Sequence, residues 1–105
     1  MRNFQRNDVD IAKNIRMIEW LKTELLENVS GLFRGFLKGN ETVLLDFLSN
    51  IVVFSYVLAR RLGIDFHELD RSVVQKVERS IDLGHEVEEW YGDLSDLQEH
   101  MKRKR

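Results

Sequence analysis

The sequence contains no cysteine and no proline among its 105 residues. Without cysteine the chain has no disulfide, no thiolate metal site and no cysteine nucleophile, so its stability must come from packing. Without proline, long helices are not interrupted, and the few glycines are confined to the stretch from Gly31 to Gly92. Apolar residues are 43% and charged residues 32% of the chain, which is typical of a soluble globular protein. We therefore expect one domain over residues 1–105 in a reducing compartment.

Charge of one sign is not in large excess, because 16 basic residues stand against 18 acidic ones. Four of the basic residues form a short C-terminal tail at 102–105, and without them the net charge changes from −2 to −6. An acidic body repels phosphate backbones, so we expect no DNA partner. The N-terminal segment has no apolar run of the kind found in a secretory signal, which favours a cytoplasmic protein.

The first long segment, at 11–36, repeats apolar residues in steps of four and three, which is a helical period. The repeating positions are Ile11, Ile15, Ile18, Leu25, Val29, Leu32 and Phe36. This pattern predicts one helix, or two that meet near Glu19, closed by Gly39 in a left-handed C′ position. Glycine also recurs every four residues at Gly31, Gly35 and Gly39. We interpret this recurrence as a seam of small residues beneath a crossing helix.

A second helix is predicted from Asn40 as N-cap to Leu62, with Gly63 in the C′ position. Its interior is apolar on almost every side and therefore needs cover on every side. The uncharged run at 47–59 is shorter than the roughly 20 residues that cross a bilayer, and Asp46 would lie in or beside lipid. We therefore expect no membrane partner. The rest of the chain offers few helices for that cover, so we expect a homodimer or homotetramer.

A capping box at Asp65 and Glu68 predicts the start of a third helix, whose apolar residues repeat at four-residue steps until Gly84. A short helix and a terminal helix, separated by Gly92, account for the remainder. No strand pattern is visible. The sequence thus predicts an all-α fold, a bundle of about four helices completed by dimerisation.

The segment at 26–80 resembles the MazG-like, all-α nucleoside triphosphate pyrophosphohydrolases. Its clearest anchor is Arg-Leu-Gly-Ile-Asp at 61–65, which is similar to the family's LGID helix end. A lesser anchor is the Lys-Gly pair at 38–39, in the turn between the two central helices. In that family, Glu-x-x-Glu on one helix and Glu-x-x-Asp on the next converge on magnesium ions bound to the triphosphate. Magnesium prefers hard oxygen ligands, and a water activated beside it attacks the polyanion.

Placing the family pattern on both anchors puts its four carboxylates at Asn28, Gly31, Phe47 and Asn50, where no carboxylate remains. The two asparagines offer neutral oxygens, the glycine has no side chain, and the phenylalanine excludes water and ions. None of them supplies the anionic charge that binds and neutralises the metal. The resemblance therefore implies a degenerate site with no catalytic residue and no cofactor. The function that follows is a noncatalytic, oligomeric interaction or regulatory module.

Three neighbouring carboxylates, those of Glu24, Glu27 and Asp46, support an alternative function. The protein would then be a divergent, magnesium-dependent nucleotide pyrophosphohydrolase with a shifted metal site. Because a helix turns ~100° per residue, Glu27 and Asp46 point aside from the ligand positions that each precedes by one residue. Lys76 matches a lysine of the family, and Arg79 keeps a positive charge one turn later. This pair is a candidate phosphate-binding site, which makes a nucleotide a candidate ligand.

Overall fold

The computed structural model describes residues 2–84 and 86–103. Within these ranges the chain forms five helices and no strand: α1 (Arg2–Lys38), α2 (Glu41–Arg61), α3 (Phe66–Asp82), α4 (Glu86–Tyr91) and α5 (Asp93–Arg103). The predicted all-α fold is confirmed, with the short α4 as the fifth helix. The helices fall into two compact units, one at residues 1–65 and one at residues 66–105.

The first unit is an antiparallel hairpin of α1 and α2. Near the turn, Gly35 lies against Leu44. At the open end, the Asn14 side-chain amide donates to the Arg61 carbonyl at 3.1 Å. Between them the buried interior is narrow, and Leu21 is the one fully buried large side chain among the described residues. This narrow seam between α1 and α2 contains the four candidate positions Asn28, Gly31, Phe47 and Asn50.

Both ends of α2 are fixed by caps that the sequence predicts. The Asn40 side-chain oxygen accepts from the backbone N–H groups of Thr42 and Val43. At the other end Gly63 has φ +87°, and its N–H donates to the Arg60 carbonyl while the Ile64 N–H donates to Ala59. These two bonds form a Schellman motif. The LGID-like segment thus ends one helix immediately before α3 begins.

The small-residue seam is confirmed at two of its three predicted positions. Gly31 and Gly35 are buried against side chains of α2, whereas Gly39 meets nothing within 4 Å and has φ +63°. Gly39 therefore serves the turn and not the seam. Helix α1 also runs without a break at Glu19.

The predicted helical period of α1 is confirmed, and the face that packs on α2 overlaps one side of the predicted apolar stripe. Ile18, Leu25 and Leu32 of the stripe are half-buried, whereas Ile11, Ile15, Val29 and Phe36 are exposed. The packed face is centred on Leu21, Asn28 and Gly35, all of which are buried. The glycines explain why the packed face is offset from the centre of the stripe, because α2 approaches most closely where α1 has no side chain.

Large apolar side chains remain exposed along both helices of the hairpin. On α1, Leu26, Phe33 and Leu37 are 72%, 66% and 90% exposed. Helix α2 buries only Ala59. By length and composition alone α2 is also apolar enough to cross a membrane, a test that core helices of soluble proteins pass as well. One copy of the chain therefore leaves much of its apolar surface uncovered.

In the second unit, α3 and α4 both pack on α5. Val77 is the buried apolar residue of α3. The first two residues of the basic tail, Lys102 and Arg103, are exposed and form the end of α5. Lys104 and Arg105 lie outside the described residues.

Candidate functional site

The four positions at which the family resemblance places carboxylates pair across the hairpin. Asn28 and Asn50 each lie eleven residues from Gly39, and Gly31 and Phe47 each lie eight residues from it. An antiparallel hairpin that turns at Gly39 places residues of equal separation opposite each other. The structure accordingly brings asparagine to asparagine and glycine to phenylalanine.

The two asparagines form a hydrogen-bonded amide pair. Asn50 Nδ2 donates to Asn28 Oδ1 at 3.1 Å, and Asn28 Nδ2 donates to the Glu24 carbonyl at 2.7 Å. Asn28 is only 7% exposed. Among the described side chains, no buried nitrogen or oxygen lacks a hydrogen-bond partner. The pair thus satisfies the buried amide of Asn28 within the protein and needs no ion to do so.

The glycine and the phenylalanine occupy the neighbouring layer of the seam. A Cβ added to Gly31 would lie 2.5 Å from Phe47 Cζ and closer still to the adjacent ring carbon. Such a separation is far below van der Waals contact, so no side chain fits at this position while the ring stays in place. Phe47 therefore fills the space in which a carboxylate at position 31 would lie.

These residues do not fit the magnesium ions that the family resemblance implies. The metal prefers charged oxygen ligands, and the layer at Asn28 and Asn50 presents only neutral amides that are already hydrogen-bonded to each other. The layer at Gly31 and Phe47 presents a hydrocarbon ring. The seam therefore has packing and one amide contact where the resemblance implies a tetracarboxylate site.

The three carboxylates of the alternative metal site are not gathered around a common point. Glu24 is half-buried, whereas Glu27 and Asp46 are exposed. Among the residues whose positions are described, no group of three or more His, Cys, Asp or Glu side chains is placed to hold a metal ion. The shifted site stays a prediction, which the activity of carboxylate variants tests.

The candidate phosphate-binding pair lies in the second unit. Lys76 and Arg79 are both exposed on α3, separated by one helical turn.

We predict that pyrophosphate raises the melting temperature of the protein without magnesium and that added salt weakens this effect, because the contact is between charges. Calorimetry on wild type, Lys76→Ala and the control Arg71→Ala checks it. Heat of binding lost only in Lys76→Ala supports the site, and no heat for any of the three proteins contradicts it.

The four positions come from the family resemblance, and sequence reasoning did not predict the contacts between them. The equal separations from Gly39 were the available signal, because they predict which residues face each other in a hairpin. It also missed the edge-to-face contact of Trp20 with Phe54, whose ring centroids lie 5.7 Å apart. The sequence carries no signal for this contact, because Trp20 is half exposed and lies at the edge of the packed face.

Comparison with known proteins identifies one family. Neither a curated protein nor a solved structure matches the chain. The MazG-like family matches residues 11–94, a stretch that contains all four site positions and both sequence anchors. This match covers most of the chain and agrees with the all-α fold. The chain therefore belongs to the MazG-like family.

Proposed function

We propose that this protein is a noncatalytic member of the MazG-like family, an interaction or regulatory module that associates with further copies of itself. One observation carries the proposal: the four positions that the resemblance assigns to metal ligands hold an amide pair and a phenylalanine ring packed on glycine. The family fold is retained while the chemistry of the site is replaced.

The loss of charge is the physical reason for inactivity. Hydrolysis of a nucleoside triphosphate brings a water molecule to a polyanion, and the metal neutralises the phosphates and activates that water. Carboxylates hold such a metal by charge as well as by geometry. Asn28 and Asn50 bring no charge, and Phe47 brings an apolar surface into the same seam. The binding energy that positions the reacting groups is therefore missing.

Self-association is supported by the surface of the hairpin. Helix α2 exposes apolar side chains on more than one side, including Leu45 at 61%, Val52 at 58% and Val53 at 54%. Extended apolar patches of this kind mark association surfaces in soluble proteins. A second copy supplies a matching apolar surface, and burial of a full valine side chain contributes about 1.5–3 kcal/mol.

We predict that purified protein releases no pyrophosphate from any common nucleoside triphosphate, with magnesium or manganese. The measurement is a panel of substrates assayed on wild type, Glu27→Gln and Asp46→Asn. Turnover that disappears in either variant would replace this proposal with the shifted-site enzyme. Trace turnover that is equal in all three proteins comes from a contaminant and leaves the proposal intact.

A further inference from the structure

One face of α2 carries a stripe of five exposed residues: Asp46, Ser49, Val53, Val57 and Arg60. Their steps of three, four, four and three residues place them on one side of the helix. Phe47 and Phe54 pack toward α1. They lie about 120° and 100° from Val53 around the helix axis, but only about 80° and 60° from Val57. The stripe therefore faces away from α1 at Val53, and its Val57 edge borders the packed face.

The stripe is symmetric about its central residue. Ser49 and Val57 each lie four residues from Val53, and Asp46 and Arg60 each lie seven residues from it. The two ends carry opposite charges. Reversal of the helix direction about Val53 therefore places the acidic end on the basic end and valine on serine.

We propose that two copies of the chain pair through this stripe, with their α2 helices antiparallel about a two-fold axis at Val53. This inference rests on the proposed self-association and specifies its interface. Each residue then meets its mirror position, as a two-fold interface requires. The two-fold axis generates two Asp46–Arg60 ion pairs, one at each end.

Charge selects this arrangement over a parallel one. In a parallel pair, Asp46 faces Asp46 and Arg60 faces Arg60, so both ends repel. In the antiparallel pair both ends attract. Arg60 already has an interaction within its own chain, and the five N–H donors of a guanidinium accommodate a second.

Helix geometry selects the crossing angle. Seven residues span about 10.5 Å from Val53 to either charged end. At a crossing angle of about 20° the two helices diverge there by about 4 Å, whereas at about 50° they diverge by about 9 Å. The shallow crossing brings the side chains of Asp46 and Arg60 closer together and is therefore the favoured arrangement.

Cysteine cross-linking tests the register, because the native chain has no cysteine. Val53→Cys places a thiol on the two-fold axis and is expected to form a disulfide-linked dimer under mild oxidation. The matched control is Val52→Cys, whose parent residue is also an exposed valine, at 58% against 54%, but lies about 100° around the helix. Its cross-linking should be at least about tenfold slower, since disulfides form only over short Cβ separations.

A mixed pair of variants extends the test away from the axis. Ser49→Cys and Val57→Cys, with one of them tagged, should cross-link to each other when mixed and only weakly to themselves. Equal or faster cross-linking of Val52→Cys would overturn the register and assign the contact to the neighbouring apolar face, which contains Leu45, Leu48 and Val52.

Charge exchange gives an independent readout. Asp46→Arg and Arg60→Asp should each raise the dissociation constant roughly tenfold, because two exposed ion pairs per dimer become repulsive. The double variant should restore wild-type affinity. A double variant no better than either single variant would overturn the pairing.

Light scattering on wild type distinguishes failure of the proposed self-association from failure of the proposed interface. A monomer would overturn both the proposed self-association and this interface. An oligomer in which Val53→Cys does not cross-link, and in which charge exchange gives no restoration, would overturn the interface alone.

Discussion

Val53→Lys is expected to dissociate the assembly into its next smaller species. Each two-fold contact loses two valine side chains that are already about half-buried within one chain. Their remaining burial is worth about 1.5–3 kcal/mol together, which corresponds to a roughly ten- to hundredfold rise in the dissociation constant. Desolvation of the lysine charge adds to this cost. Val57→Lys should act in the same direction. Light scattering over a range of protein concentrations measures the effect.

Both valines are exposed within one chain, 54% for Val53 and 37% for Val57. A lysine at either position stays hydrated in the monomer, so circular dichroism should show an intact fold. Gln75→Lys, at an exposed position of α3, is the control for added charge. An assembly unchanged by Val53→Lys and Val57→Lys would contradict the predicted interface.

Gly31→Ala is expected to destabilise the protein although alanine is the better helix former. The added methyl group overlaps the ring of Phe47, and overpacking of this kind costs about 1–3 kcal/mol. The higher helix propensity of alanine offsets about 1 kcal/mol of this cost. Chemical denaturation at a fixed protein concentration should therefore show a lower free energy of unfolding, by up to about 2 kcal/mol.

Gly35→Ala is the matched control, because it is another buried glycine of the same helix. Its added Cβ would lie 3.1 Å from Leu44 Cδ2, a methyl group that rotates aside, so we expect no loss or a small gain. Phe47→Leu combined with Gly31→Ala should recover part of the loss, because the smaller side chain vacates the overlap. Equal effects of the two alanine substitutions would show that Phe47 does not fill the space above Gly31.

Local signals in the sequence were sufficient to predict the helices. Asn40 as a cap and Gly63 in a left-handed position act on their own backbone neighbours, so each is recognisable without the fold. The centre of the packed face of α1 was not predictable from its apolar pattern alone. Apolar residues such as Val29 and Phe36 recur at the correct period, but the packed face is decided by how closely α2 approaches the glycines.

The candidate site was likewise only partly predictable from the sequence. The family resemblance assigns four positions to metal ligands, and the sequence has an uncharged residue at each of them. The amide pair required knowledge of which side chains face each other across the hairpin. That knowledge also shows why single substitutions do not restore a metal site, since a carboxylate at Gly31 has no space until Phe47 is replaced.

Manganese binding, followed by electron paramagnetic resonance, tests the central claim most directly. The claim is that the seam between α1 and α2 holds no divalent cation, because its four facing positions carry no charge. The account predicts that the signal of free Mn²⁺ is the same with wild type, Glu27→Gln and Asp46→Asn. A stoichiometric loss of that signal with wild type, abolished in either variant, would contradict the account and place a working metal site in the hairpin.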